Sequence, residues 1–299
     1  MNNVKFLENV ENHFDEASKN YDKYKYRKNF VNNVFFVRQT LVQQFIEEQN
    51  NKDLSILDCG CGTGEIVIEL AKKGYNINGF DISNNMVRVT KDKLQKNNIK
   101  NVHIWKDNVC SFKVNKKYDV IIAAGVFQYF NKTLQKKAYQ NIKKALKPNG
   151  LLITSYGNSI FSLFTFNKFT VDFFTEYIFS LHFYSDKKST LTKYVSSLLT
   201  QPMLGRKEGT KAETALGYIP VYLTNPFTIK EELQLNGFDY QNIKFFHFHA
   251  LPPSMKDLLS NPKEFDINSE SMEYKFAESW FGYFMAYQFL AFSRLRSKQ

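Results

Sequence analysis

The sequence predicts an α/β fold in which short buried strands alternate with helices. Residues 54–59 form an apolar run that leads into a glycine-rich turn, and a helical pattern follows over 65–73. A second apolar run at 75–80 ends at an acid, and two more apolar runs begin at Tyr118 and Leu151. Strands that alternate with helical segments indicate parallel β-α-β units.

The turn after the first predicted strand is typical of a nucleotide-binding site. Gly60, Gly62 and Gly64 recur at every second position. Glycine adopts backbone dihedral angles that are closed to other residues, and without a Cβ it lets a ligand approach the main chain. The helix that follows points free N–H groups toward the turn. These features predict a ligand that binds directly against the backbone.

Two acids narrow the kind of ligand. Asp81 follows the second strand about twenty residues after the glycines, where a carboxylate suits the two hydroxyls of a ribose. Dinucleotide sites use the pattern G-x-G-x-x-G to hold a pyrophosphate, whereas this loop has a different glycine spacing and is preceded by Asp58. An acid at that point would repel a pyrophosphate and would suit a ligand with an ammonium and a sulfonium.

With these residues the chain resembles the class I S-adenosylmethionine-dependent methyltransferases. Five family elements occur in order: the acid-x-G-x-G-x-G loop at 58–64, the acid Asp81, the acid Asp107 after the third strand, the fourth strand from Tyr118, and the Leu-Lys-Pro-Asn-Gly turn at 146–150. The resemblance covers residues 14–156 closely and the C-terminal half loosely.

The resemblance implies a Rossmann-like, doubly wound sheet of seven strands that is mostly parallel, with an antiparallel last strand, and S-adenosyl-L-methionine as the cofactor. It also implies the residues that bind this cofactor, which we expect to be Tyr21, Asp58, Gly60, Cys61, Gly62, Gly64, Asp81, Ile82, Asp107, Asn108, Val109, Ala124 and Gln128. The three cysteines form neither a disulfide framework nor a metal-ligand spacing, so we expect no metal.

The chain divides into four predicted parts. Residues 1–50 form an N-terminal helical cap, and 51–156 form the cofactor-binding core. Residues 157–226 are an inserted helical cap for the substrate. Residues 227–299 complete the core sheet, with a surface insertion at 251–274.

The N-terminal cap is predicted from an apolar stripe at helical spacing, Phe30, Val34, Val37, Leu41 and Phe45. The segment from Phe14 to Asp22 resembles the F-D-x-x-A-x-x-Y-D pattern of many small-molecule methyltransferases. In those enzymes the tyrosine closes over the methionine end of the cofactor, which makes Tyr21 a candidate site residue.

The predicted inserted cap is rich in aromatic residues and is where we expect substrate specificity to reside. Its aromatics can fill a small core, line a substrate pocket, or contact a membrane surface or a second copy. Four residues of the cap repeat as one helix face would, Phe169, Phe173, Tyr177 and Leu181. Residues 201–211 have the composition of a mobile loop.

The C-terminal part predicts a helix and two strands. Thr228 and Glu231 have the spacing of a capping box, and Gly237 ends the helix. A strand at 243–248 is expected to pair with a last strand at 286–294. The apolar run 280–292 is interrupted by polar residues and glycine, so we interpret it as a buried strand rather than a membrane span.

Methyl transfer is an in-line displacement that depends mainly on holding donor and acceptor in line, with a base needed only for some acceptors. His247 and His249, at the end of the strand at 243–248, are the candidate bases, and Tyr129 is a third candidate catalytic residue. The sequence Ala-Gly-Val-Phe-Gln-Tyr at 124–129 lacks the N/D-P-P-Y tetrad of amino-methylating enzymes. Gln128 and Tyr129 there resemble residues that line the pocket of small-molecule enzymes.

The net charge of +11 leaves two interpretations. Many lysines lie on one predicted helix whose opposite stripe is apolar, which indicates a solvated face. The other interpretation is a basic entrance for an anionic substrate.

The leading hypothesis is a methyltransferase for a small molecule or a carrier-linked metabolite, with O-methylation of a sugar or glycan precursor as a narrower guess. The alternatives are an RNA or protein methyltransferase and a catalytically silent cofactor-binding module, with nucleic acid not the expected partner. No apolar run reaches the ~18 residues of a membrane span and no signal peptide is evident, so we expect a cytoplasmic enzyme. The sequence leaves the acceptor atom and the oligomeric state open.

Overall fold

The computed structural model describes residues 3–22, 30–166, 168–178, 188–198 and 221–297. Parts of the predicted inserted cap lie outside these ranges. They include the predicted loop at 201–211, Leu181 and His182. Within 168–178, the side chains of Phe169 and Tyr177 are not described.

One mixed sheet of eight strands forms the centre, in the order β3-β2-β1-β4-β5-β8-β7, with the short β6 paired to β5. The strands are β1 (Ser55–Cys59), β2 (Asn76–Asp81), β3 (Ile104–Lys106), β4 (Tyr118–Ala123), β5 (Leu146–Asn158), β6 (Leu223–Thr224), β7 (Phe238–Phe248) and β8 (Ala286–Leu295). β8 is antiparallel to both of its neighbours, and the other pairs are parallel. This confirms the doubly wound, mostly parallel sheet with an antiparallel last strand, to which β6 adds an eighth.

Within the described ranges, the following helices and helical turns connect the strands. The α-helices are α1 (Asn3–Ala17), α2 (Phe30–Glu47), α3 (Glu65–Lys72), α4 (Asn84–Lys96), α5 (Lys132–Ala145), α6 (Phe161–Phe164), α7 (Lys168–Phe173), α8 (Lys188–Leu198), α9 (Ile229–Leu235), α10 (Lys263–Met272) and α11 (Phe281–Met285). Two 3-10 helices lie at Phe127–Tyr129 and Pro253–Leu258, and a π-helical turn at Phe174–Ile178.

Each face of the sheet has its own apolar core. Buried residues of α2, α3 and α4 pack on one face, and buried residues of α1, α5 and α9 belong to the core of the other. The predicted stripe of α5 is fully buried, because Leu134, Ala138, Ile142 and Ala145 recur at helical spacing toward the sheet. In the described ranges, we find no helix whose length and apolar character would let it cross a membrane.

Three local predictions need correction. The run 280–292 is not one strand, because α11 occupies its first part and β8 begins only at Ala286. Thr228 stands at the N-cap of α9, but its hydroxyl donates to the carbonyl oxygen of Asn225 (3.2 Å) and does not cap the helix. The segment 251–274 is not wholly a surface excursion, since Phe265, Ser269 and Glu273 are buried.

Candidate active site

A cavity of about 260 Å³ opens at the carboxyl ends of β1 and β4. The strand order reverses between these two strands, since β2 and β3 lie on one side and β5 on the other. Open α/β sheets bind their ligands at this switch point, where the loops on either side diverge and leave a crevice.

The glycine loop forms the floor of the cavity and requires glycine at two positions. Gly60 has φ +79°, and a Cβ on it would lie 2.4 Å from Val126. Gly64 has φ +84°, and a Cβ there would lie 2.5 Å from Thr90. The backbone N–H groups of Gly60 and Cys61 donate to the carbonyl oxygen of Phe80 (2.8 and 3.0 Å), which fixes the loop on β2.

Asp81, the last residue of β2, organises the loop from the other side. Its Oδ2 accepts a hydrogen bond from the backbone N–H of Gly62 (2.8 Å), and its Oδ1 accepts one from Ser83 (2.9 Å). Its side chain lines the cavity and is almost fully buried, and burial raises the pKa of the carboxyl group to about 6. Each carboxylate oxygen can accept more than one hydrogen bond, so Asp81 can also bind a ligand hydroxyl.

Three more acids line the cavity, of which Glu65 is paired with Lys93 (2.8 Å). Asp58, at the end of β1, is 2% exposed, and Glu65 begins α3. Asp107 follows β3, where its carboxylate accepts hydrogen bonds from the backbone N–H of Asn108 (2.8 Å) and from Trp105 Nε1 (3.2 Å). Carboxylates gathered around one cavity favour a ligand that carries positive charge.

The N-terminal segment is fastened across the mouth of the cavity at two places. Asp15 accepts hydrogen bonds from Ser83 and Asn85 at the start of α4. Asp22 accepts one from the Thr63 hydroxyl (2.9 Å) and pairs with Lys93 (2.8 Å). These contacts hold Phe14 and Tyr21 against the cavity, and burial raises the pKa of the Tyr21 hydroxyl far above its ordinary value.

The structure brings together nearly all of the predicted cofactor-binding residues. Of that set only Gly64 does not line the cavity, and it lies against Thr90 instead. The candidate catalytic residue Tyr129 also lines the cavity, with its ring edge-on to Phe14 at a centroid distance of 5.5 Å.

His247 and His249 are not brought to this cavity. Their rings lie 5.0 Å apart, and His249 packs on Phe161 at 4.9 Å and near Phe265 at 5.7 Å. Burial lowers the pKa of His249 to about 2, so this histidine is neutral at physiological pH. Buried Glu273 accepts the backbone N–H groups of His247 (2.9 Å) and Phe248 (3.1 Å).

Sequence reasoning missed several residues that line the cavity, among them the polar residues His13, Arg38 and Gln288. In the part of the chain that the structure describes, Arg38 is the only Lys or Arg of the cavity wall. Its guanidinium lies 5.6 Å from the centre of the Phe35 ring and 2.6 Å from the position that a Gly125 Cβ would take. In the sequence, Arg38 could have been recognised as a charged residue directly after Val37, beside the apolar stripe of α2.

Buried polar atoms without partners lie in the same wall. His13 Nδ1, Gln128 Oε1 and Gln288 Oε1 are shielded from solvent and find no hydrogen-bond partner among the described residues. Each such atom costs about 1–3 kcal/mol of stability. Polar groups of this kind in a cavity wall indicate a surface that a ligand completes.

Within the described ranges, no group of three or more His, Cys, Asp or Glu side chains is arranged to hold a metal ion.

Known sequences are similar to the part of the chain that carries the glycine loop. Residues 50–195 match a family model described as a methyltransferase domain. Malonyl-[acyl-carrier protein] O-methyltransferase of Priestia megaterium is 31% identical over 157 residues, 50% of this chain and 51% of that protein. Ubiquinone biosynthesis O-methyltransferase of Rickettsia akari is 30% identical over 122 residues, 40% of this chain and 47% of that protein. The matches thus span about half the length of these curated relatives.

Solved structures share the fold at low sequence identity. Magnesium protoporphyrin IX methyltransferase of Synechocystis PCC 6803, crystallised with bound SAH, has a TM-score of 0.55 at 16% identity over 96% of this chain and 98% of that one. An S-adenosylmethionine-dependent methyltransferase from Clostridium acetobutylicum ATCC 824 has a TM-score of 0.52 at 12% identity over 87% and 92%. Residues 50–195 therefore match a methyltransferase domain, and the chain shares the fold of these S-adenosylmethionine-dependent methyltransferases.

Proposed function

We propose that this protein transfers a methyl group from S-adenosyl-L-methionine to a small-molecule or carrier-linked acceptor. The observation that carries the proposal is the coupling of Asp81 to the glycine loop at the switch point of the sheet. One carboxylate there both shapes the loop and faces the cavity in which a nucleoside would bind.

The charges of the cavity match the charges of this cofactor. Asp81 would accept the ribose hydroxyls, and Asp107 would accept the adenine amino group, as the resemblance implies. Asp58 would stabilise the ammonium and sulfonium end. Arg38, which lies beside Gly125 at the end of β4, would bind the carboxylate of the cofactor.

When bound, S-adenosylmethionine would supply a methyl group that bonds in line to the acceptor atom as its C–S bond breaks, with S-adenosylhomocysteine as the leaving group and the proton of a hydroxyl acceptor released to water. The protein holds the acceptor on that line, and well-oriented pairs gain effective molarities on the order of 10⁵ to 10⁸ M. Tyr129 stays protonated because burial raises its pKa, so we assign it to the wall that orients the acceptor rather than to a base.

The acceptor is narrowed by the relatives. Both curated relatives are named O-methyltransferases, and one of them acts on an acyl-carrier protein by its name. These names support an oxygen acceptor, free or carrier-linked. O-methylation of a sugar or glycan precursor is a narrower possibility within this class.

The test is transfer of label. The protein is first titrated with S-adenosylmethionine by calorimetry and then incubated with methyl-labelled cofactor and a fractionated cell extract. Label is expected in the small-molecule or carrier-protein fraction. Label confined to RNA or to other proteins would contradict the proposal, and so would failure to bind the cofactor.

A further inference from the structure

Gln288 is a polar residue between the apolar residues Ala286 and Leu290 on one face of β8. It shares one face of the strand with Leu290 and Phe292, which are fully buried, and is itself only 8% exposed. β8 is antiparallel to β5, so its first residues lie at the edge where the parallel strands end. That edge carries the cavity, and the Gln288 side chain lines it.

Gln128 borders the same end of the cavity from the loop after β4. Its backbone oxygen accepts a hydrogen bond from Tyr222 (2.7 Å), and the next residue, Leu223, pairs with Gly157 of β5. Gly157 is also the partner of Gln288 in the sheet. The two glutamines therefore border the segment 221–224, which leads from the predicted inserted cap back to the sheet.

This end lies across the cavity from the residues that we assign to the nucleoside. Asp81 and Asp107 follow β2 and β3, whereas Gln128 and Gln288 stand on the side of β4, β5 and β8. A cofactor with its ribose at Asp81 and its carboxylate at Arg38 would leave the β5 and β8 side of the cavity, where Gln288 lies, to the acceptor.

Both glutamines offer an amide oxygen that no described residue satisfies. Burial raises the pKa of the adjacent Tyr129 hydroxyl, so this group stays protonated beside Gln128, whose amide oxygen is without a partner. An amide oxygen accepts hydrogen bonds, so a ligand hydroxyl or N–H would satisfy it, whereas an ether can pair only with the amide NH2 and leaves the oxygen unsatisfied.

We propose that Gln128 and Gln288 form the acceptor subsite and select an acceptor that donates hydrogen bonds, which for O-methylation is a neutral hydroxyl compound. The inference rests on the proposed function, because the cofactor must fill the other end of the cavity. Once methylated, the oxygen no longer donates, so the same subsite binds the product less tightly than the substrate.

A matched pair of probes tests the subsite: phenol, which donates a hydrogen bond, and its methyl ether anisole, which does not. Both are titrated into protein saturated with S-adenosylhomocysteine. We expect wild type to bind phenol at least five-fold tighter than anisole, and Q288M and Q128M to bind the two alike. The control is Q135M, because Gln135 is buried with an unpaired amide oxygen but does not line the cavity. It should keep the wild-type preference.

Thermal melting of each variant establishes that it is folded, and Q128M serves if Q288M is not. Absence of S-adenosylhomocysteine binding would count against the proposed function itself. Intact binding of S-adenosylhomocysteine with no preference of wild type for phenol, including no binding of either probe, would overturn the subsite. A preference lost equally in Q135M would overturn it as well.

Discussion

The two halves of the sheet are held together by contacts of different range. Around β1 and β2, Asp81 shapes the glycine loop by binding the backbone of Gly62, 19 residues before it, and of Ser83, two residues after it. Around β5 and β8, the corresponding bonds join distant segments. The Asn158 amide donates to the carbonyl oxygens of Tyr283 (2.9 Å) and Ala286 (2.8 Å), more than 120 residues later.

The difference separates two tasks. The cofactor half needs a fixed arrangement of a few polar groups, which short motifs supply. The acceptor half needs a shaped pocket, and its shape depends on how α11 and β8 pack on β5. Substitutions in the first half should therefore alter cofactor affinity, and substitutions in the second should alter stability.

The largest effect is expected at Asp81. The variant D81A should weaken S-adenosylmethionine binding by about 100-fold or more, since it removes an ionised hydrogen-bond acceptor and releases the Gly62 N–H. Calorimetry measures the dissociation constant, and the exposed Asp92 on α4 provides the control D92A. An unchanged dissociation constant in D81A would contradict the assignment of Asp81 to cofactor binding.

The acceptor half should respond through stability. The variant N158A leaves buried carbonyl oxygens of α11 and β8 without a donor, at a cost of about 3 kcal/mol in the free energy of unfolding. Urea unfolding measures this loss, with N101A at an exposed position as the control. Cofactor affinity should stay within about two-fold of wild type in the folded variant. A large loss of cofactor affinity in N158A at unchanged stability would contradict the proposed difference between the two halves.

The same contrast explains what the sequence could predict. Asp58, Asp81 and Asp107 each come directly after a strand, and parallel strands end at one edge, so their meeting point follows from the strand pattern. His247 also stands near the end of a strand, but β7 is at the far edge of the sheet, with β5 and β8 between it and β4. A strand end indicates the edge of the sheet but not the distance along that edge.

Two cavity residues were not predicted from the sequence for a different reason. Arg38 and Gln288 are single polar residues within or beside apolar stripes, and a stripe is normally interpreted through its apolar members. Only tertiary packing shows that the stripe of α2 and the stripe of β8 both reach the cavity. A polar residue near the end of a buried stripe is therefore a useful signal for a ligand-facing position.

Glu273 provides a pH-dependent test of the acceptor half. Burial raises the pKa of its carboxyl group from 4.5 to about 8. Between these values the folded protein keeps the proton and the unfolded chain releases it, so stability should fall as pH rises. The slope is at most about 1.4 kcal/mol per pH unit, and it vanishes above about pH 8.

The variant E273Q should lose this dependence, so its free energy of unfolding relative to wild type should increase from pH 5 to pH 8. Urea unfolding at pH 5, 6.5 and 8 measures the difference, and E264Q at an exposed position controls for the loss of one carboxylate. A constant difference between E273Q and wild type over this range would contradict the buried, protonated state of Glu273.

The smallest expected effect concerns the N-termini of two helices, one in each half. In the cofactor half, the Ser83 hydroxyl accepts the N–H of Met86 (3.1 Å) and caps α4. In the acceptor half, Thr228 has the sequence of a cap but bonds backward to Asn225, because its own backbone (φ −104°, ψ 2°) is not extended. S83A should therefore cost about 1 kcal/mol or more and T228A less than about 0.5 kcal/mol in urea unfolding. If T228A cost as much as S83A, the cap sequence would predict a real cap in both halves. The two halves would then differ only in the contacts within the sheet.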